Sequence, residues 1–322
     1  MDAPPRRVLV TGAAGFVGQH ALDAISAAGV EAILGVGRGA AASLPSGAGY
    51  REVDLLDRAG LDACLRDFQP SHVLHLAAQA SVGQAAGAGA ETWRSNVAGL
   101  LNLAEALLAE APAATLLFAS SSEVYGRAFL GDKPVTEESP PQPVGVYART
   151  KRVGEEMLQD VLAGSEVRLI LLRPFNHTGP GQDERFVVPA FARQIARIEA
   201  GRAPPRLAVG NLDARREFLD VRDVARAYVS VIEASETIAP GTILNVASGQ
   251  PRTIASVLED LTRLARVPFE VVVDPNRLRP SEIPVATGDT GRMHAATGWA
   301  PQVPWAETLA NVLEDARAQA RA

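Results

Sequence analysis

Only one cysteine, Cys64, occurs in 322 residues. The chain can therefore close no intrachain disulfide and build no cysteine-based metal cluster, and the amphipathic surroundings of Cys64 suit a small buried hydrophobe. A basic surplus is also missing. Lys and Arg number 31 against 37 Asp and Glu, a net charge of −6. That balance argues against a nucleic-acid-binding surface, which calls for a basic face, and any anionic substrate would need local arginines. No apolar run approaches the length of a membrane span. The leading Met1-Asp-Ala-Pro-Pro-Arg-Arg7 lacks the charged-then-apolar pattern of a targeting segment, so a cytoplasmic protein with no membrane partner is expected. His72, His75, His177 and His294 lack ligand spacing and His20 follows a glycine-rich turn, so no metal site is expected. Internal repeats, low-complexity tracts and obvious linkers are absent too.

What is present is ordinary for a soluble globular protein: 47% hydrophobic and 21% charged residues, enough to bury a large core in one big domain or two intimate ones. Arg7–Thr11 is a short β-branched apolar run. It is followed by Gly12-Ala-Ala-Gly15-Phe16-Val17-Gly18 and a helical pattern through Ala28. Strand, glycine turn and helix form the context a dinucleotide fingerprint requires, here spaced G-x-x-G-x-x-G. Gly12 permits the tight turn, Gly15 lets a pyrophosphate approach the helix N-terminus, and Gly18 allows close helix packing. The second strand, Ala32–Gly37, ends at Arg38, where an acidic residue would hold the ribose hydroxyls and an arginine suits a 2′-phosphate. NADP(H) is therefore favoured, with NAD(H) possible. A third strand from Tyr50 ends in Asp54-Leu55, placed to meet the adenine, and a fourth, Ser71–Ala78, ends in Leu76-Ala77-Ala78, small enough for a cofactor to lie against. A long helix over Trp93–Glu110 carries Asn96, read either as a brace to the sheet or as an exposed polar residue. Thr115–Ser121 and Val167–Arg173 are further strands with the helix Val146–Leu162 between them. Six alternations of strand and helix with short connections predict an α/β fold with a doubly wound parallel sheet.

Ser121 falls at the carboxyl edge of that sheet, where such folds bind ligands. Tyr147 and Lys151, four residues apart on a helix, share one face. A positive charge beside the phenol favours its ionised form and is expected to lower its pKa. With the Ser121 hydroxyl beside a substrate carbonyl, the trio reads as a device that exchanges a proton with an oxygen while a hydride moves elsewhere. Beyond Arg173 the loops carrying Asn176, Arg215-Arg216 and Arg279-Pro-Ser-Glu282 gather guanidinium groups suited to phosphate.

Taken together, Thr11-Gly12-x-x-Gly15-x-x-Gly18, Asp54-Leu55, Ser121, Tyr147-x-x-x-Lys151 and Arg173-Pro174 resemble the extended branch of the short-chain dehydrogenase/reductase superfamily, whose members act on nucleotide sugars. Arg173–His177, Gly179–Gln182, Gly210–Arg216, Asp220–Asp223 and Arg279–Glu282 look like the GDP-sugar members, in particular the GDP-4-keto-6-deoxy-mannose reductases. The resemblance implies a Rossmann domain over residues 1–173, to which 217–248 returns, and a smaller α/β nucleotide-sugar domain over 174–216 and 249–322. It further implies cofactor contacts from Gly12, Gly15, Phe16, Val17, Gly18, Arg38, Asp54, Leu55, Leu76, Ala77, Ala78, Tyr147, Lys151 and Arg173. Tyr147 would be the general acid, Lys151 would tune it and Ser121 would orient the carbonyl. Ser122, Asn176, Val187, Arg216, Arg279 and Glu282 would meet a GDP-sugar, and paired helices would join two subunits into a homodimer. Glu123 stands where the related GDP-mannose 4,6-dehydratases carry a catalytic base. Dehydratase, 4-epimerase and other nucleotide-sugar reductase activities therefore stay open beside reductase, and a non-catalytic cofactor sensor would require loss of Ser121, Tyr147 or Lys151, all present. Gly145-Val146 replaces the family's usual Ser-Pro ahead of the tyrosine.

Overall fold

A computed structural model describes residues 6–39, 44–79, 89–131, 133–278 and 283–321. Seven strands form one sheet in which every pairing is parallel. They are β1 (Arg7–Thr11), β2 (Ala32–Gly37), β3 (Ala48–Glu52), β4 (His72–His75), β5 (Thr115–Ala119), β6 (Arg168–Pro174) and a seventh, Thr242–Val246, at the edge beside β6. The order runs from the seventh strand through β6, β5, β4, β1 and β2 to β3. Both faces are covered, which explains why the strands read as continuous apolar runs.

Successive side chains divide between the faces. Val8, Val10, Leu117, Ile170 and Leu172 pack with Leu22 and Ile25 of α1 (Phe16–Ala27) and with Val224, Tyr228 and Val231 of the helix Val221–Ala234. Leu9, Leu116, Phe118, Leu169 and Leu171 pack with Leu61 and Leu65 of α2 (Arg58–Phe68) and with Leu100, Leu103 and Leu107. Each such aliphatic side chain contributes about 1.5–3 kcal/mol by burial. Cys64 belongs to the second cluster.

The long helix expected over Trp93–Glu110 begins earlier, at Gly89, and contains a wider turn of π type over Arg94–Ala98 before continuing as Gly99–Glu110. Such turns collect at functional sites, and this one carries Asn96, which is 4% exposed. A second lobe packs the helices Val187–Glu199, Ile254–Leu264 and Trp305–Arg321 around Phe191, Ile195, Leu207, Val257, Leu261, Val312 and Leu313. Its short strand Arg215–Glu217 lies between Pro251–Thr253 and Val285–Ala286. No described helix is long and apolar enough to cross a membrane, and no metal-holding group of three or more His, Cys, Asp or Glu is found among the described residues.

Both histidines of β4 are buried. His75 Nδ1 lies 2.8 Å from Thr11 Oγ1, and His72 Nε2 lies 2.9 Å from Ser235 Oγ. Burial pulls His72 down to about 4 and His75 down to about 3. The unfolded chain binds protons near the ordinary histidine value of ~6.5, and the folded chain does not. Stability is thus fully present above that value and is lost as pH falls toward the folded values. Thermal melting across pH 7 to 4 is expected to show a falling midpoint, whereas a flat profile would mean that both rings charge in place.

Candidate active site

The carboxyl edge of the sheet opens into a cleft of about 760 Å³, within the usual range for small-molecule sites. Its floor is the glycine turn. Gly12 sits at φ +70°, and a Cβ there would lie 2.7 Å from Ala77 N; a Cβ on Gly18 would lie 2.2 Å from Gly12 O. These two positions admit glycine alone and let the backbone approach whatever occupies the cleft. Helix α1 begins at Gly15 with no side-chain cap, so its first N–H groups are left for a ligand at the positive end of the helix dipole. Such a cradle fits a dinucleotide pyrophosphate.

Of the expected cofactor contacts, Gly12, Gly15, Phe16, Val17, Gly18, Arg38, Asp54, Leu55, Leu76, Ala77, Ala78 and Tyr147 line the cleft. Ser121, Glu123, Asn176 and Val187 line it too. Arg279 and Glu282 lie outside the described residues. Four others do not reach the cleft wall. Ser122 is buried in the single turn Ser122–Val124. Lys151 is buried, with Nζ donating to Ala119 O at 2.6 Å. Arg216 Nη1 donates to Arg215 O at 2.8 Å, and its charge acts on Glu123. Arg173, 1% exposed, forms two hydrogen bonds to Glu155, Nε to Oε1 at 2.9 Å and Nη2 to Oε2 at 2.7 Å. The structure thus turns Nε and Nη2 of Arg173, an expected cofactor contact, toward Glu155, and Nη1 makes no hydrogen bond among the described residues.

Ser121 follows β5 in extended backbone, and its Oγ accepts from Glu123 N at 3.1 Å. Tyr147 projects from the first turn of the helix Val146–Val161 and lines the same cleft as Ser121. Burial pushes Tyr147 up to about 12, against the pull of Ser121. Burial likewise brings Lys151 down to about 7, opposed by Glu155. The expected lowering of the phenol by Lys151 is therefore reversed: desolvation outweighs a cation aimed at the Ala119 carbonyl and lying 4.9 Å from the Phe118 ring centre. A phenol held protonated is a proton donor. Burial also raises the Glu123 carboxyl, with the Arg216 guanidinium opposing.

Asn96 proves to be a brace. Its Oδ1 accepts from Gln79 N at 2.8 Å and its Nδ2 donates to Thr150 Oγ1 at 3.0 Å, tying the end of β4 to the helix that bears Tyr147 and Lys151. The other wall uses His177, Thr178, Gln182, Phe186 and Phe218, none of which was expected as a contact. Thr178 Oγ1 donates to Gln182 Oε1 at 2.7 Å, and Gln182 Nε2 to His177 O at 3.0 Å. The turn formers Gly179-Pro-Gly181 signal this loop in the sequence, although nothing there shows that it faces the cleft.

A parallel sheet with a glycine cradle on one side of its carboxyl edge and a serine, a tyrosine and a lysine on the other defines a Rossmann-type oxidoreductase. The chain belongs to the NAD dependent epimerase/dehydratase family, whose model matches residues 8–247. It is 37% identical over 316 residues to a GDP-6-deoxy-D-mannose reductase of Pseudomonas aeruginosa, covering 98% of this chain and 99% of the relative. To a UDP-glucose 4-epimerase of Azospirillum brasilense it is 28% identical, covering 92% of this chain and 87% of that one. Among solved structures, RMD from Pseudomonas aeruginosa complexed with NADPH superposes with a TM-score of 0.82 at 34% identity, covering 98% of this chain and 99% of that one. UDP-glucose 4-epimerase of Thermotoga maritima with UDP-glucose superposes with a TM-score of 0.85 at 26% identity, covering 97% and 99%.

Proposed function

We propose that this protein reduces the 4-keto group of GDP-4-keto-6-deoxy-D-mannose to GDP-D-rhamnose, with NADPH favoured over NADH. The observation that carries the reading is the single cleft that Ser121 and Tyr147 share with the glycine cradle. Likeness over 98% of the chain to the Pseudomonas reductase supports the choice of sugar. The first turn of α1 and Gly12 would hold the pyrophosphate, Asp54 and Leu55 the adenine side, and Arg38 a 2′-phosphate. When bound, the reduced nicotinamide supplies the hydride.

The residues of the chain supply the rest. Ser121 orients the carbonyl from the same cleft wall as the phenol. Tyr147 gives its proton to the oxygen as negative charge grows there, and Lys151, behind it, stabilises that charge. Asn176 and Val187, which line the cleft, are assigned to the nucleotide sugar, and Arg216, Arg279 and Glu282 are assigned to it by the resemblance alone. We place the enzyme in the cytoplasm as a homodimer paired through the helices Gly99–Glu110 and Val146–Val161; a monomer mass by light scattering would contradict the dimer.

The test is to mix the purified protein with GDP-mannose alone, and separately with GDP-4-keto-6-deoxy-D-mannose plus NADPH or NADH. Reduced-cofactor absorbance and product mass are followed. NADPH consumption only with the keto sugar, giving a product two hydrogens heavier, is expected. Loss of water from GDP-mannose without net cofactor turnover would instead make Glu123 a catalytic base.

A further inference from the structure

Glu155 and Arg173 take no part in the proton transfer above, yet they are among the most deeply buried charges in the protein, 0% and 1% exposed. Glu155 lies one helical turn beyond Lys151, so its carboxylate shares a face with the ammonium. Arg173 reaches it from β6 with the two hydrogen bonds already described, and Arg152 Nη1 adds a contact of 3.2 Å to Oε2. The Arg173 guanidinium also rests 4.7 Å from the Tyr125 ring centre. Tyr125 closes the turn that starts at Ser121, and its hydroxyl donates to Asn245 Oδ1 at 2.7 Å. A buried ion pair of this kind is often no more stabilising than apolar residues of the same volume, so its location beside Lys151 calls for another reason.

We propose that Arg173 acts on the reaction through Glu155 and Lys151: by neutralising the carboxylate one turn away, it keeps the Lys151 ammonium from being drawn into a fixed ion pair with Glu155 and leaves it directed at Ala119 O, behind Tyr147. Arg173 is thus a positioning residue, and the proposal deepens the reductase reading given above. The groups around Lys151 are few. Tyr147 and Glu155 share its helix, with Arg152 beside Glu155; Ser121 and Glu123 face Tyr147 from the turn after β5; His75 comes from β4 and is held neutral by burial. Glu155 is the carboxylate whose charge opposes the effect of burial on Lys151. With Arg173 removed, that opposition grows and Lys151 keeps its proton to higher pH. With Glu155 made neutral, Arg173 stands unanswered and Lys151 releases its proton at lower pH.

The test uses full-length wild type, Arg173→Met and Glu155→Gln. In wild type, Lys151 is largely unprotonated when folded and protonated when unfolded between about 7 and the ordinary lysine value of 10.5, so its contribution to stability rises with pH across that window. Melting temperature against pH, without substrate, is expected to show this rise beginning about one unit or more higher in Arg173→Met and lower in Glu155→Gln. The alkaline limb of kcat/KM for NADPH-dependent reduction should move in the same two directions. Both substitutions destabilise, so opposite movements cannot come from destabilisation. A common onset in all three proteins, with activity following melting temperature alone, would overturn the proposal. If Arg173→Met does not fold, Glu155→Gln decides: a lower onset supports the proposal, and an unchanged or higher one refutes it. Opposite shifts in melting without turnover of the keto sugar would leave the proposal standing and remove the substrate assignment.

Discussion

Replacement of Tyr147 by phenylalanine is expected to lower kcat by about 10³-fold, the scale of a well-placed general acid, while KM and the melting temperature change little. The substitution removes one oxygen and leaves the ring in its pocket. Ser121 Oγ still accepts from Glu123 N, so no buried hydroxyl is stranded. The proton donor matters only once hydride arrives and the carbonyl oxygen becomes basic, so the loss falls on the transition state and not on substrate binding. Steady-state kinetics beside a melting curve check both halves. A loss below about ten-fold would move the donor to Ser121 or to Glu123, whose carboxyl burial already pushes upward.

Glu217→Ala is expected to have the largest effect on stability. Its carboxylate, 1% exposed, accepts from Ser248 N at 2.6 Å, Ser248 Oγ at 2.9 Å and Gly249 N at 3.1 Å through Oε2, and from Thr287 Oγ1 at 2.7 Å and Gly288 N at 2.6 Å through Oε1. One side chain therefore joins three separate segments. Alanine would leave those donors without the acceptor that holds them, and hydrogen bonds to a charged partner are worth about 1.5–3 kcal/mol each. Allowing for relaxation, a loss on the order of 4 kcal/mol or more follows, read as a lower urea midpoint at unchanged slope. A change under about 1 kcal/mol would mean that water satisfies the same groups. Arg216 and Phe218 flank Glu217, so weaker nucleotide-sugar binding should accompany the loss.

The cradle and the sheet were legible because their signals are local. Gly12, Gly15 and Gly18 follow a strand and open a helix, and alternate residues of β1, β5 and β6 are apolar on both faces, as a doubly covered parallel sheet demands. The placement of Ser121, Tyr147 and Lys151 was legible for a similar reason: Tyr147 and Lys151 are one turn apart on a helix, and Ser121 follows a strand. Pairings across long sequence distances were not. Nothing near Arg173 reveals its pairing with Glu155, because an arginine at a strand end gives no hint of a partner eighteen residues back. The π turn that brings Asn96 inward leaves no mark on an apolar pattern that runs on smoothly as helix. The protonation of Tyr147 was misjudged because sequence shows the neighbouring charge but not how far burial outweighs it. On the far wall, Phe186 and Phe218 come from segments whose apolar residues read equally well as core.

The strand Thr242–Val246 sits at the edge of the main sheet, beside β6, although more than sixty residues of chain separate the two, including the helix Val187–Glu199 that belongs to the other lobe. A ribosome making this protein therefore makes Val187–Glu199, part of the other lobe, before the main sheet has its last strand. Until Val246 has left the exit tunnel, the outer edge of β6 has no neighbour, and the helix Val221–Ala234, which covers one face, has only just arrived. The sheet is complete at Val246, before the helices Ile254–Leu264 and Trp305–Arg321 of the other lobe have been made, and the interval between synthesis of β6 and of its last partner is when that edge stands open to pairing with another chain.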